Sequence, residues 1–179
     1  DTLSGESQYN KSVTLKAKLD EAYRAGVNVA RILDIIGTKE SNVIFEIQET
    51  QIGNMLGNDN LKDVSKSFVN KEYLEATDEQ ILKLIRDIQA LEKVGLSVDL
   101  NSNNLFYDKN QGFSFIDLST DGKFFKSYED MIEELGFAMQ GTTRQIFEDL
   151  NNTIDEPLVQ AFEERFNKLS EIAQQSYAE

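Results

Sequence analysis

From Thr77 to Leu96 the sequence TDEQILKLIRDIQALEKVGL has one strong solution. Ile81, Leu84, Ile85, Ile88 and Leu91 recur at the three- and four-residue spacing of a single helix face. Thr77 precedes the run and Gln80 stands three residues after it, the capping-box arrangement in which each side chain serves the other residue's amide. Gly95 supplies the stop. After it come two short β-like runs, NLFY at 104–107 and FSFID at 113–117, joined by the turn-rich DKNQG that ends at Gly112. The spacing predicts a helix, a polar loop and a β-hairpin in that order.

Around this segment the reading is a mixed α+β chain. Val13, Leu15, Leu19, Ala22 and Tyr23 recur near helical spacing over residues 12–25, and Gly26 follows as a stop. NVARILDIIG and SNVIFEIQET, separated by TKES, suit an antiparallel hairpin. Leu61, Val64 and Phe68 mark a short helix within 60–76. SYEDMIEELGFAMQ, TRQIFEDL and EPLVQAFEERFNKLSEIAQQ make the last third helical, with Pro157 in the first turn of the final helix. Pro157 is the only proline and no Gly/Ser-rich or repeated stretch occurs, so residues 1–179 read as one domain.

Composition narrows the chemistry. Among 179 residues, 18 Lys+Arg face 32 Asp+Glu, a formal charge of −14, and there is neither histidine nor cysteine. That excludes thiolate or imidazole zinc sites, Cys or His nucleophiles and Ser-His-Asp relays, and leaves carboxylates, amides, hydroxyls and lysines to act. The charge repels nucleic-acid phosphates, so no nucleic-acid partner is expected. No apolar run reaches membrane-spanning length and DTLSGESQYNK is neither a signal nor a transit peptide, so a soluble protein without a membrane partner is expected. Residue 1 is Asp rather than Met, as in a fragment or a processed product.

The hairpin brings polar side chains together. With its turn centred near Asn110, Asn104 lies roughly opposite Ile116, and Asp117 stands beside Asn103 and Asn104 at the open end. The loop SVDLNSN can fold Asp99 over the same end, so that Asp99, Asn104 and Asp117 surround one polar cavity. A plainer reading makes this an Asx-rich loop that bonds its own backbone. Asp99, Asn101 and Asn103 also match the first, third and fifth positions of an EF-hand, but Asn104 replaces its glycine and Asn110 its bidentate glutamate. Phe124, Phe125, Phe137, Phe147, Phe162 and Phe166 read as core or interface packing, and the acidic stretches 129–134 and 148–164 as solvated faces.

The run S-V-D-L-N-S-N-N-L-F-Y-D followed by F-S-F-I-D-L resembles the catalytic loop and metal-binding motif of the protein-kinase-like superfamily: D-x-x-x-x-N, then an Asp closing a second strand. The resemblance implies Asp99 as catalytic base and Asn104 and Asp117 as ligands of Mg²⁺. Upstream, helix, A-G-V-N-V-A-R-I-L-D-I and V-I-F-E-I-Q-E-T-Q-I-G resemble the second half of a kinase small lobe, which implies that Glu46 to Gln48 present backbone groups to the adenine of ATP. Y-E-D-M-I-E-E-L-G echoes the helix that braces the catalytic loop, with Asp130 in that role. Ser97-Val98 stand where the family has His-Arg or His-Gly, and Asp-Leu-Ser where it has Asp-Phe-Gly. DTLSGESQYNK holds neither the glycine-rich loop nor the strand lysine of the family; Lys11, Lys16 and Lys18 are the lysines upstream of the first hairpin, and Glu21 is a displaced candidate for the lysine's partner.

The expected fold is therefore a kinase-like α+β domain, with a reduced small lobe over about 1–53, a helical large lobe over about 54–179 and a metal-binding hairpin. The expected activity is ATP- and Mg²⁺-dependent phosphoryl transfer to a protein hydroxyl, most like the minimal kinases that bacterial pathogens deliver into host cells. It implies a cytoplasmic or host-delivered protein, a protein substrate and an activating partner with a basic surface. The alternatives are a catalytically inactive pseudokinase scaffold and a kinase-fold enzyme that transfers another group such as AMP.

Overall fold

The computed structural model describes residues 5–56, 69–140 and 153–176. The protein is mixed α+β. Its order is α1 (Gly5–Arg24), β1 (Ile32–Ile36), β2 (Phe45–Gln48), β3 (Asn54–Met55), α2 (Lys71–Glu75), α3 (Asp78–Lys93), a 3-10 turn (Ser102–Asn104), β4 (Leu105–Asp108), β5 (Gly112–Phe115), α4 (Tyr128–Ala138) and α5 (Glu156–Gln175). Leu61, Val64 and Phe68, and the helix expected over 143–150 with Phe147, lie outside the described residues. No described helix is long and apolar enough to cross a membrane.

The chain divides into two compact units. One comprises Asp1–Ile52, Ile88–Asp99 and Ser114–Phe124; the other Gly53–Asp87, Leu100–Phe113 and Phe125–Glu179.

In the first unit β1 and β2 form the expected antiparallel pair, Ile36 opposite Phe45, Ile35 opposite Glu46 and Asp34 opposite Ile47, with a bulge between Ile32 and Asp34. α1 starts earlier than its apolar pattern, at Gly5, and its buried face also differs from the expected one. Ser12, Leu19 and Ala22 are buried, whereas Val13 and Tyr23 are exposed. Arg31 explains Tyr23: its guanidinium lies over the ring at 3.9 Å, so the aromatic face serves a cation instead of the core. Beyond Gly95, Ser97 and Ser119 exchange backbone hydrogen bonds at 2.7 and 3.3 Å. Phe124 is exposed and so is not part of the core.

In the second unit the capping box forms as expected. The Thr77 amide donates to Gln80 Oε1 at 3.0 Å, and the Gln80 amide to Thr77 Oγ1 at 3.2 Å. Gln80 does more: its amide nitrogen donates to the Lys109 carbonyl at 3.0 Å and its oxygen accepts from the Tyr107 hydroxyl at 3.0 Å, so the start of α3 holds the hairpin turn. Asp108 closes that turn by accepting from the Asn110 and Gln111 amides, both at 2.9 Å. Tyr73, wholly buried, stacks on Phe113 at 5.1 Å and meets Phe162 edge-on at 6.4 Å. Arg165 ties α5 to the start of α3 through Asp78 at 2.6 Å and the Ala76 carbonyl at 2.7 Å. Phe162 and Phe166 are buried as expected, but Phe137 is exposed.

The expected hairpin is part of a three-stranded sheet of order β3-β4-β5. β3 escapes pattern reading because it is two residues long, and Gly53 admits it. Gly53 has φ +108°, and a Cβ there would lie 2.2 Å from the Tyr107 carbonyl oxygen, closer than any real contact. Gly26 has φ +89° with nothing within 4 Å of a Cβ. Gly53→Ala is therefore expected to destabilise by about 2 kcal/mol or more, through strain plus loss of strand pairing, and Gly26→Ala by about 1 kcal/mol through the backbone alone. Urea midpoints of the two variants measure this; equal losses would refute the steric role of Gly53.

Candidate ligand cavity in the first unit

The site is built on the backbone of Phe115. Its N–H donates to the Asn28 carbonyl at 3.0 Å and its carbonyl accepts from the Ala30 N–H at 3.2 Å, a parallel bridge between the end of β5 and the approach to β1. The ring is fully buried. β5 ends there, two residues short of the strand expected from sequence. Asp117 follows with φ +55°, the one described non-glycine residue with positive φ. Asp is among the few residues that accept this conformation. The left-handed turn leaves the Asp117 side chain exposed.

β2 and α1 provide the facing groups. Glu46 on β2 accepts a hydrogen bond from the buried Ser12 hydroxyl at 2.7 Å and another from the Gln48 side-chain amide at 3.2 Å. Just past β2, Glu49 takes the guanidinium of Arg31 in a two-pronged pair, at 3.0 Å from Nε and 2.7 Å from a terminal nitrogen, and also accepts from the Arg31 amide at 3.1 Å. These hydrogen bonds hold its carboxyl below the usual carboxylate range.

Together they enclose a cavity of about 270 Å³. Leu15, Leu19, Ala30, Phe115, Ile116 and Leu118 form its apolar part; Glu46, Gln48, Glu49 and Asp117 form its polar part. Three residues singled out from sequence, Glu46, Gln48 and Asp117, thus share one cavity. The sequence reading used Glu46 only through its backbone, and it missed Glu49 and Ser12. A signal for Ser12 existed, because it lies three and seven residues before Leu15 and Leu19, on their helix face. Glu49 gave none, since its partner is 18 positions away.

Asp99 belongs to the same unit, is exposed, and is not among the residues lining the cavity. Its neighbours Val98 and Leu100 are both buried, which pins the chain on either side. Asn104 belongs to the second unit. It closes the 3-10 turn, its N–H donating to the Asn101 carbonyl at 2.8 Å, and Asn101 in turn caps that turn by accepting from the Asn103 N–H at 3.0 Å. The self-bonded Asx loop is thus present at Asn101. Asp130 accepts from the Lys126 amide at 3.2 Å, a contact at the start of its own helix, where a brace on the 99–104 loop was expected. Glu21 is exposed on α1.

The donors assigned to Mg²⁺, a carboxylate at Asp117 and an amide oxygen at Asn104, are hard oxygens of the type that ion takes, and the exposed Asp117 side chain is open to one. No group of three or more Asp, Glu, His or Cys among the described residues is placed to hold a metal. In the second unit a groove of about 340 Å³ runs between α4 and α5 and includes Ile132, Phe137, Val159 and Phe162. None of the residues expected from sequence to bind or react lies in it.

Compared with known protein families and with curated proteins, the sequence matches none.

The Arg31–Glu49 pair makes a pH prediction. A carboxyl whose folded pKa is depressed stabilises the fold above its unfolded pKa and loses that contribution as pH falls through the folded value. The melting temperature of Glu49→Gln should therefore lie below that of the native chain at about pH 7, and the gap should close as the pH falls below the ordinary carboxylate range of about 4.5. A gap that is unchanged as the carboxyl is protonated would show that the pair does not act through charge.

Proposed function

We propose that the chain is a kinase-like phosphotransferase that uses ATP and Mg²⁺ to phosphorylate a protein hydroxyl. One observation carries the reading: the strand assigned to the base of the nucleotide and the Asp assigned to the metal line the same cavity. The apolar lining suits the faces of a flat ring such as adenine. The volume, just under the roughly 300–1,000 Å³ of small-molecule sites, suits a base better than a whole nucleotide. The polar side carries three carboxylates, which repel phosphates; Mg²⁺ bound with the nucleotide supplies the neutralising charge.

In this reading Glu46 and Gln48 orient the base from β2, and Ser12 keeps the Glu46 carboxylate in one position. Asp117 holds its carboxylate toward the phosphate end through the left-handed backbone. Asp99, exposed between two buried anchors, accepts the proton of the acceptor hydroxyl. The rival reading, a catalytically inactive pseudokinase scaffold, draws on a specific feature: among the described residues the cavity lining contains no lysine or arginine to grip phosphates. Phosphoryl transfer rests on such charge stabilisation, so in the phosphotransferase reading a partner would have to provide it.

Calorimetric titration of a non-hydrolysable ATP analogue should give tighter binding with Mg²⁺ than without. Asp117→Asn should abolish the difference while tolerating the left-handed backbone. Equal affinity with and without Mg²⁺ for the native chain would overturn the metal assignment. Asp99→Asn should fold, bind the analogue and lose transfer by a factor on the order of 10² or more. Undiminished transfer removes Asp99 from the chemistry, and Mg²⁺-dependent binding without transfer, in chains supplied with upstream residues or cell extract, favours the scaffold.

A further inference from the structure

The β1–β2 ribbon has two faces, and its own unit covers only one. On the covered side Ile32 is buried and Glu46 is bonded to Ser12 of α1. Register puts Ile36 with Phe45, and Asp34 with Ile47, on the other side. There Ile36 is 52% exposed, Phe45 62% and Ile47 44%, with Leu33 beside the bulge at 54% and Val43 before β2 at 58%. Single exposed apolar residues are ordinary, but five on one short ribbon form a patch.

Two further features say what the patch receives. The sheet has only two strands among the described residues, so each has an outer edge whose alternate N–H and C=O groups point away from the ladder. Those groups take an extended backbone, and the two-residue apolar spacing of Phe45 and Ile47 takes alternate side chains of a strand. Asp34 is the one charged residue among those named on this face, and its carboxylate accepts from the amide of the next residue, Ile35, at 2.9 Å. The chain as a whole carries −14. A second copy would bring −14 against −14, whereas a basic segment is attracted at long range and meets an opposite charge on arrival.

We propose that the β1–β2 ribbon is a docking surface for an extended segment of a basic partner protein, whose backbone pairs with an outer edge, whose alternate apolar side chains extend the face of Leu33, Ile36, Phe45 and Ile47, and whose Lys or Arg pairs with Asp34. The inference stands apart from the phosphotransfer reading, since it concerns the face of the ribbon turned away from Ser12 and Glu46.

The probe is a short synthetic peptide alternating valine and threonine with one central lysine, titrated into the full ¹⁵N-labelled chain. Two control peptides carry glutamate in the lysine's place, or methyl groups on alternate backbone nitrogens. The lysine peptide should shift the amide resonances of residues 33–36 and 43–48 and bind about tenfold more tightly than the glutamate peptide. Backbone methylation should abolish binding, and Asp34→Lys should reverse the charge preference. The peptide controls leave the protein unaltered, so a misfolded variant cannot decide the outcome. Equal binding of the lysine and glutamate peptides, shifts confined to other elements, or no shift up to about 1 mM peptide would each overturn the proposal. So would a self-associating chain that Phe45→Ser renders monomeric, which would make the occupant a second copy.

Discussion

The candidate cavity depends on the two backbone hydrogen bonds of Phe115. They join the end of β5 to residues 28–30, from which the chain runs directly into β1, and β1 carries β2 by its ladder. Asp117 lies two residues beyond the same anchor. Glu46, Gln48 and Asp117, separated by some seventy positions, therefore share an environment because one buried aromatic residue has both backbone groups engaged. A break at Phe115 would separate the two walls and leave the cavity without a shape.

Electrostatics then separates structural from available carboxylates. Glu49 is committed to Arg31 and Asp121 to Lys11, and both carboxyls sit below their ordinary range because of those partners. Glu46 is held by Ser12 and Gln48. Asp117 and Asp34 remain turned to solvent, one at the cavity and one in the apolar face of the ribbon. In a chain of net charge −14 an acidic residue is unremarkable by itself. What distinguishes these two is backbone placement: a left-handed turn in one case, a strand position among exposed apolar residues in the other.

The second unit follows a different logic. Gln80 serves Thr77, Lys109 and Tyr107 at once, Arg165 serves Asp78 and Ala76, and Tyr73 lies against Phe113 and Phe162. The same glutamine that the sequence marks as a helix cap also holds the hairpin turn. The second role was not legible, because Lys109 and Tyr107 lie nearly thirty residues away and their partner is chosen by packing.

By itself the sequence determined the features that arise within a few residues: the capped helix over 78–93, its buried stripe, the β4–β5 hairpin with its Asp108 turn, and the antiparallel β1–β2 pair. Each is set by periodicity or by hydrogen bonds between near neighbours, which composition and spacing encode directly. Tertiary structure alone decided which face of α1 is buried, why β3 exists, that Glu49 pairs with Arg31, and that Asp117 turns out of the strand. It also decided which side of the ribbon is covered. ILDII is apolar on both faces, and FEIQ alternates in the opposite sense, with Phe45 and Ile47 exposed and Glu46 bonded to Ser12, so alternation alone does not name the face that packs. Those choices come from pairings between distant segments, where the energy lies in burial and backbone bonding that no local pattern records.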